Sequence, residues 1–236
     1  MKKLVLAVCL VMCLAGCADN SAKDSKSSAA GSSVSSAEES RFNSHITYTC
    51  DKAADNAELD NIGDVLESRY SQTFDNSDHT IIKDYEKKKI KLEFDYAEGA
   101  EEFAEISALE NKVEFIKGDD KSGEVILTNE NIDKCEQRLS ADIYGTERWE
   151  VALQFDDESK QIFADVTEEL AANGMSLSIW LNDKRISAPV VNECVTDGNC
   201  VISGNLDEES SAALAKQIAM KPLPFDITLE EYELDR

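Results

Sequence analysis

Histidine is almost missing from this 236-residue chain: His45 and His79 are the only two, and neither stands in an H-E-x-x-H helix or near a G-x-S-x-G turn. A zinc protease helix needs paired imidazoles to hold its metal, and an α/β-hydrolase needs that turn to present its serine. A P-loop, a dinucleotide-binding glycine pattern and an EF-hand loop are also lacking, so nucleotide and calcium chemistry have no basis in the sequence. Basic residues are scarce, 24 Lys and Arg against 48 Asp and Glu, for a formal net charge of -24. Such a surface repels nucleic acid and anionic headgroups. Paired carboxylates are so common at this acidity that none singles itself out as an acid–base couple. Asp156-Asp157-Glu158 reads as helix capping and dipole complementation. The expectation is a protein that is not an enzyme and carries no cofactor or metal.

Long apolar runs are missing too. The one at residues 4–14 falls short of the roughly 20 residues that span a bilayer. It follows Met1, Lys2 and Lys3 and precedes Leu14-Ala15-Gly16-Cys17, so residues 1–16 read as a bacterial lipoprotein signal peptide. Cys17 would become the lipidated (palmitate-bearing) N-terminus, on the extracytoplasmic face of a membrane. Loss of Lys2 and Lys3 with the signal takes the charge from -24 to -26. Residues 17–40 are rich in Ser and Ala without any aromatic residue, and cannot bury enough apolar surface to offset the entropy of ordering. They read as a disordered tether reaching roughly 25 to 30 Å.

Four cysteines remain beyond the tether: Cys50, Cys135, Cys194 and Cys200. In an oxidising compartment an even number suggests disulfides. Cys194 and Cys200 bracket the Asp197-Gly198 turn signal, which favours a local bridge between them. Cys50 with Cys135 then follows by elimination.

Periodicity organises the rest. Residues 45–50 alternate as a strand, and Leu59, Ile62, Leu66 and Tyr70 recur on one helical face. Residues 79–96 read as a strand pair, 99–110 as a helix with Ala100, Phe103, Ile106 and Leu109 inward, and 113–116 as a further strand. The order β-α-β-β-α-β predicts a ferredoxin-like sheet with two helices on one face. Next come a strand at 125–127, a helix from an N-cap at Thr128 to Leu139, and a strand at 149–155. A helix from Asp156 to Asn173-Gly174 and a hairpin of 175–181 with 185–191 follow. Beyond the cysteine-bracketed turn are a strand at 201–203, a helix at 208–220 stopped by Pro222 and Pro224, and a closing strand at 225–232. Pro189 lacks an N–H for a ladder, so Ile186, Ser187, Ala188, Pro189 and Val190 are the candidate edge for an extended peptide to join. A buried strand is the plainer reading of the same apolar residues, as core is of Trp180.

Several short motifs occur in a fixed order here. They are Leu127-Thr128, Phe163-Ala164-x-x-Thr167, Leu181-Asn182-Asp183, Ile186-Ser187-Ala188-Pro189-Val190-Val191-Asn192-Glu193, Ile202-Ser203-Gly204-Asn205-Leu206, Leu214-Ala215 and Leu223-Pro224. In this they resemble the head of the first extracytoplasmic (P1) domain of SecD and SecDF, membrane subunits that assist protein export. Residues 88–115 are similar to the base of that domain. The resemblance implies an α+β fold, a ferredoxin-like base (41–121) interrupted by a head (122–224), with 225–236 returning to the base. It further implies contact with exported polypeptide or the export machinery and movement of head against base. The sequence departs from the family at Cys194 to Cys200, where the family has glycines, and ends without the family's transmembrane helices, so a proton-driven motor is not expected. An adaptor lipoprotein serving another envelope partner is the alternative, and oligomeric state is not legible.

Overall fold

The computed structural model describes residues 40–141 and 144–235; the expected signal peptide, Cys17 and nearly all of the tether lie outside them. Among the described residues no helix is long and apolar enough to cross a membrane.

The base begins with β1 (Ser44–Thr49) and α1 (Asn56–Thr73). The Asp55 carboxylate caps α1 by accepting the Glu58 N–H at 2.9 Å, so an orphan donor of the first turn is satisfied. Helix α1 buries Leu59, Ile62, Val65, Leu66 and Tyr70, the stripe its spacing predicts. β2 (His79–Asp84) and β3 (Lys89–Phe94) form a hairpin, and α2 (Ala100–Ile106) follows. Ile46, Tyr48, Ile90, Leu92 and Phe94 meet α1 and α2 in one core.

β4 (Val113–Lys117) was expected to complete this sheet, but it pairs with β5 (Val125–Thr128) and β8 (Leu177–Leu181) instead. The closing strand is the C-terminal β11 (Thr228–Glu233), antiparallel to β1, giving the order β11-β1-β3-β2. The base is therefore a ferredoxin-like sheet whose last strand is delayed until the head has been made. Local pattern cannot separate the two candidates, because β4 and β11 are both short alternating strands and only the far end of the chain decides which one returns.

The head contains two sheets, β5-β4-β8-β9 and β10-β7-β6, around Val113, Phe115, Leu127, Val151, Leu153, Phe155, Phe163, Leu170, Ile179 and Ile218. Here the expected helix at 128–139 is wrong. Thr128 does form a capping box with Asn131, but after one 3-10 turn (Asn129–Asn131) the chain extends as β6 (Ile132–Ala141) and pairs along β7 (Glu147–Phe155). Ile132, Cys135 and Leu139 have helical spacing and the residues between them are uniformly polar, so nothing local marks the strand; cross-strand pairing with β7 overrides the cap signal. Helix α3 (Asp157–Asn173) is capped as expected by Asp156 onto the Ser159 N–H, and ends at Gly174, whose φ of 62° is the left-handed closure glycine supplies. α4 (Glu208–Ala219) packs on β6 and β7.

Candidate functional site

The candidate hairpin lies at a sheet edge. β9 (Lys184–Ser187) pairs with β8 and lies at the margin of its sheet. Ile186 packs on the head core, while Ser187 and Ala188 are half-buried and Pro189 and Val190 exposed, Val190 at 52%. Pro189 serves the sheet only as an acceptor, taking the Leu177 N–H at 3.1 Å. Trp180 is half-buried rather than core, its indole N–H donating to Ser178 Oγ at 3.0 Å.

Neither expected disulfide is formed, and Cys50, Cys135, Cys194 and Cys200 are free thiols. Cys50 belongs to the base core and Cys135 packs on the head core, so pairing by elimination fails because the two are built into different cores. Cys135 and Cys200 both oppose Leu153, from β6 and from β10 (Asn199–Ile202). Two strand spacings, about 9.6 Å, separate them, beyond disulfide reach. Cys194 turns its thiol to the Ala164 carbonyl on α3 at 3.4 Å. Residues 194–198 are not a strand, so no hairpin stands there for a bridge to close. Asp197 closes the turn instead, accepting the backbone N–H of Asn199 at 3.0 Å and its side-chain amide at 2.9 Å. Burial pushes the Cys50 thiol up to about 11 and those of Cys135 and Cys200 to about 12.

Sequence reasoning missed a different site. A cleft of about 400 Å³ opens where α1 and α2 of the base face α4 of the head, lined by Phe74, Phe103, Ile106, Ala219 and Met220, with Glu98 and Glu102 also on its wall. Its floor rests on an aromatic cluster: Phe74 and Phe103 lie 5.3 Å apart edge-to-face, and Tyr70 packs within 4.9 Å of Phe74 and 5.8 Å of Phe103. Gly99, at φ 88°, turns the chain into α2 at the cleft wall. Lys216 of α4 reaches across to Glu102 of α2 at 2.6 Å. An apolar cavity of this size suits a few apolar side chains. Phe103 and Ile106 were legible as a helical stripe, but that the stripe's end would face a second unit rather than its own sheet was not.

The fold and this cleft define a class: a ferredoxin-like base carrying an inserted α+β head. A solved structure of SecDF, described as a membrane component that enhances protein export, shares that architecture with a TM-score of 0.62 at 20% identity, over 81% of this chain and all of that one. Residues 118–225 match the SecDF P1 head subdomain family. Protein translocase subunit SecD of Synechocystis is 37% identical over 131 residues, half of this chain and 27% of that protein. The SecD of Streptomyces coelicolor is 32% identical over 105 residues, 42% of this chain and 18% of its own. The chain thus spans about a quarter or less of these two relatives.

Proposed function

We propose that this protein is a lipid-anchored extracytoplasmic accessory to protein export that holds apolar stretches of unfolded polypeptide in the cleft between base and head. The observation that carries this reading is the apolar, aromatic-floored cleft in a P1 fold whose relatives are export subunits. Binding would be passive: a cleft of this kind releases apolar surface from water at about 25 cal/mol per Å² and needs no coupled reaction. Attachment through Cys17 and a slack tether raises local concentration at the membrane and transmits no force. The β9 edge supports a second mode, in which the backbone of an extended chain pairs with residues 186–190.

Photocrosslinking in the full-length, membrane-attached protein separates these. A photoreactive residue at Ala219 should capture exported polypeptides during secretion, and one at exposed Glu158 should not. Capture from Val190 and none from Ala219 would move the site to the β9 edge. Capture from neither position would overturn polypeptide binding. Cys17→Ser should release the protein from the membrane still folded.

A further inference from the structure

Head and base are joined by two crossings, an outgoing one at residues 107–112 and a returning one at 220–227. The crossings bond to each other: Leu223 N–H donates to the Glu110 carbonyl at 2.9 Å, Ile227 N–H to Ala108 at 2.8 Å, and Glu110 N–H to the Asp226 carboxylate at 2.7 Å. Both are then gripped from each side by one polar side chain. From the base, Arg69 of α1 is completely buried and faces carbonyl oxygens only: Nε donates to Lys221 at 2.8 Å, Nη1 to Ser107 at 2.6 Å and Leu109 at 2.8 Å, and Nη2 to Glu110 at 2.9 Å. Among the described residues no carboxylate pairs with it. From the head, Asn129 Nδ2 reaches Asn111 on the outgoing crossing at 2.9 Å and Ile218 and Met220 on the returning side at 3.1 and 3.2 Å, while its Oδ1 accepts Val113 N–H at 2.6 Å.

A guanidinium is an expensive group to bury, and the planar fork of Arg suits several acceptors held in fixed positions. Four carbonyls from two separate stretches satisfy it only in one arrangement of the crossings. The outgoing crossing also holds Asn111, wholly buried, at φ 56° with its Oδ1 lacking any partner. Tyr70, the residue after Arg69 on α1, and Phe103 connect this joint to the cleft floor.

We infer that Arg69 and Asn129 form a two-sided latch that fixes the head on the base and so holds the cleft at one width. They are positioning residues, and the part concerning cleft width rests on the cleft being the binding site. The latch itself does not. Its test uses the full-length chain with ketone-bearing residues at exposed positions 86 in the base and 168 in the head, spin-labelled there so that the native thiols are untouched, and reads distances by double electron–electron resonance. The parent protein should give one narrow distance population. Arg69→Lys, which keeps the charge but not the fork, and Asn129→Ala, which acts from the head alone, should each at least double its width. Circular dichroism should show both still folded. Retention of the narrow population in the folded Asn129→Ala protein overturns the latch, as does a lowered melting temperature with unchanged distances, the mark of a merely structural role. Broadened distances with unchanged polypeptide capture at Ala219 would uphold the latch and overturn only the link to cleft width.

Discussion

The cleft and the β9 edge offer a polypeptide opposite things. The edge is made within one sheet of the head and presents backbone, with Pro189 and Val190 at its open side. The cleft is made by two units that the chain enters and leaves separately, and it presents side chains over an aromatic floor. An edge of this kind survives any movement between units, whereas the cleft exists only while base and head keep their places. The difference therefore lies in the crossings.

The largest effect is expected at Phe103, which is 1% exposed, packs against Tyr70 and Phe74 and lines the cleft. Phe103→Ala should cost about 3 to 5 kcal/mol in denaturant unfolding, from lost burial and the cavity left behind. Ile186→Ala on the half-buried β9 should cost clearly less, about 1 kcal/mol. Equal losses would mean that the base core is softer around the cleft than its packing implies.

Chemical labelling gives a smaller but sharper contrast. Among Cys50, Cys135, Cys194 and Cys200, only Cys194 is exposed, and burial raises the other three thiols well above neutrality. Brief alkylation of the native protein read by mass spectrometry should modify Cys194 and leave Cys50, Cys135 and Cys200 protected until unfolding. A bridged Cys194–Cys200 pair, resistant to alkylation without reductant, would contradict the free thiols of the structure.

The smallest effect concerns acid. Burial disfavours the charge of Glu93 on the base sheet, but hydrogen bonds from Lys91 at 2.7 Å and Ser40 at 2.7 Å outweigh it and hold its carboxyl below the usual range. A carboxyl with a lowered folded-state pKa adds stability that is present above its unfolded value, about 4.3, and is lost as pH falls through the folded value. Glu93→Gln should therefore lower neutral stability slightly and flatten the acid limb of a melting-temperature profile below about pH 4.5. An unchanged acid limb would show that Glu93 is uncoupled from folding.

What the sequence made legible follows physical range. The α1 stripe, the Asp156 cap, the Gly174 closure and the hairpin before Pro189 are set by residues within a few positions of one another, and all stand where periodicity and capping chemistry put them. The motif string from Leu127 to Pro224 points to the head family that residues 118–225 match for the same reason, since it fixes turns and caps of the head. β4 was assigned to the wrong sheet because strand partnership depends on residues more than a hundred positions away. β6 was mistaken for a helix because the cap at Thr128 and the spacing of Ile132, Cys135 and Leu139 both fit one, and only the pairing with β7 extends the chain. The cysteine pairs failed since counting thiols says nothing of which core each enters. As for the site, the β9 edge was visible as a proline in an apolar run. Nothing marked the cleft, because each of its walls looks like ordinary core until the head is set against the base. Arg69 likewise reads as a charge near the end of a helix, and only the fold turns it inward onto four carbonyls.

The central claim, that polypeptide is held by the cleft rather than by the β9 edge, is tested most directly by measuring binding of one unfolded exported polypeptide to the full-length protein and to Ala219→Trp and Val190→Lys variants. Ala219→Trp fills the cleft from α4 and should weaken binding at least tenfold, about 1.4 kcal/mol, while Val190→Lys leaves it within twofold. The reverse pattern, with Val190→Lys abolishing binding and Ala219→Trp leaving it intact, would contradict the account.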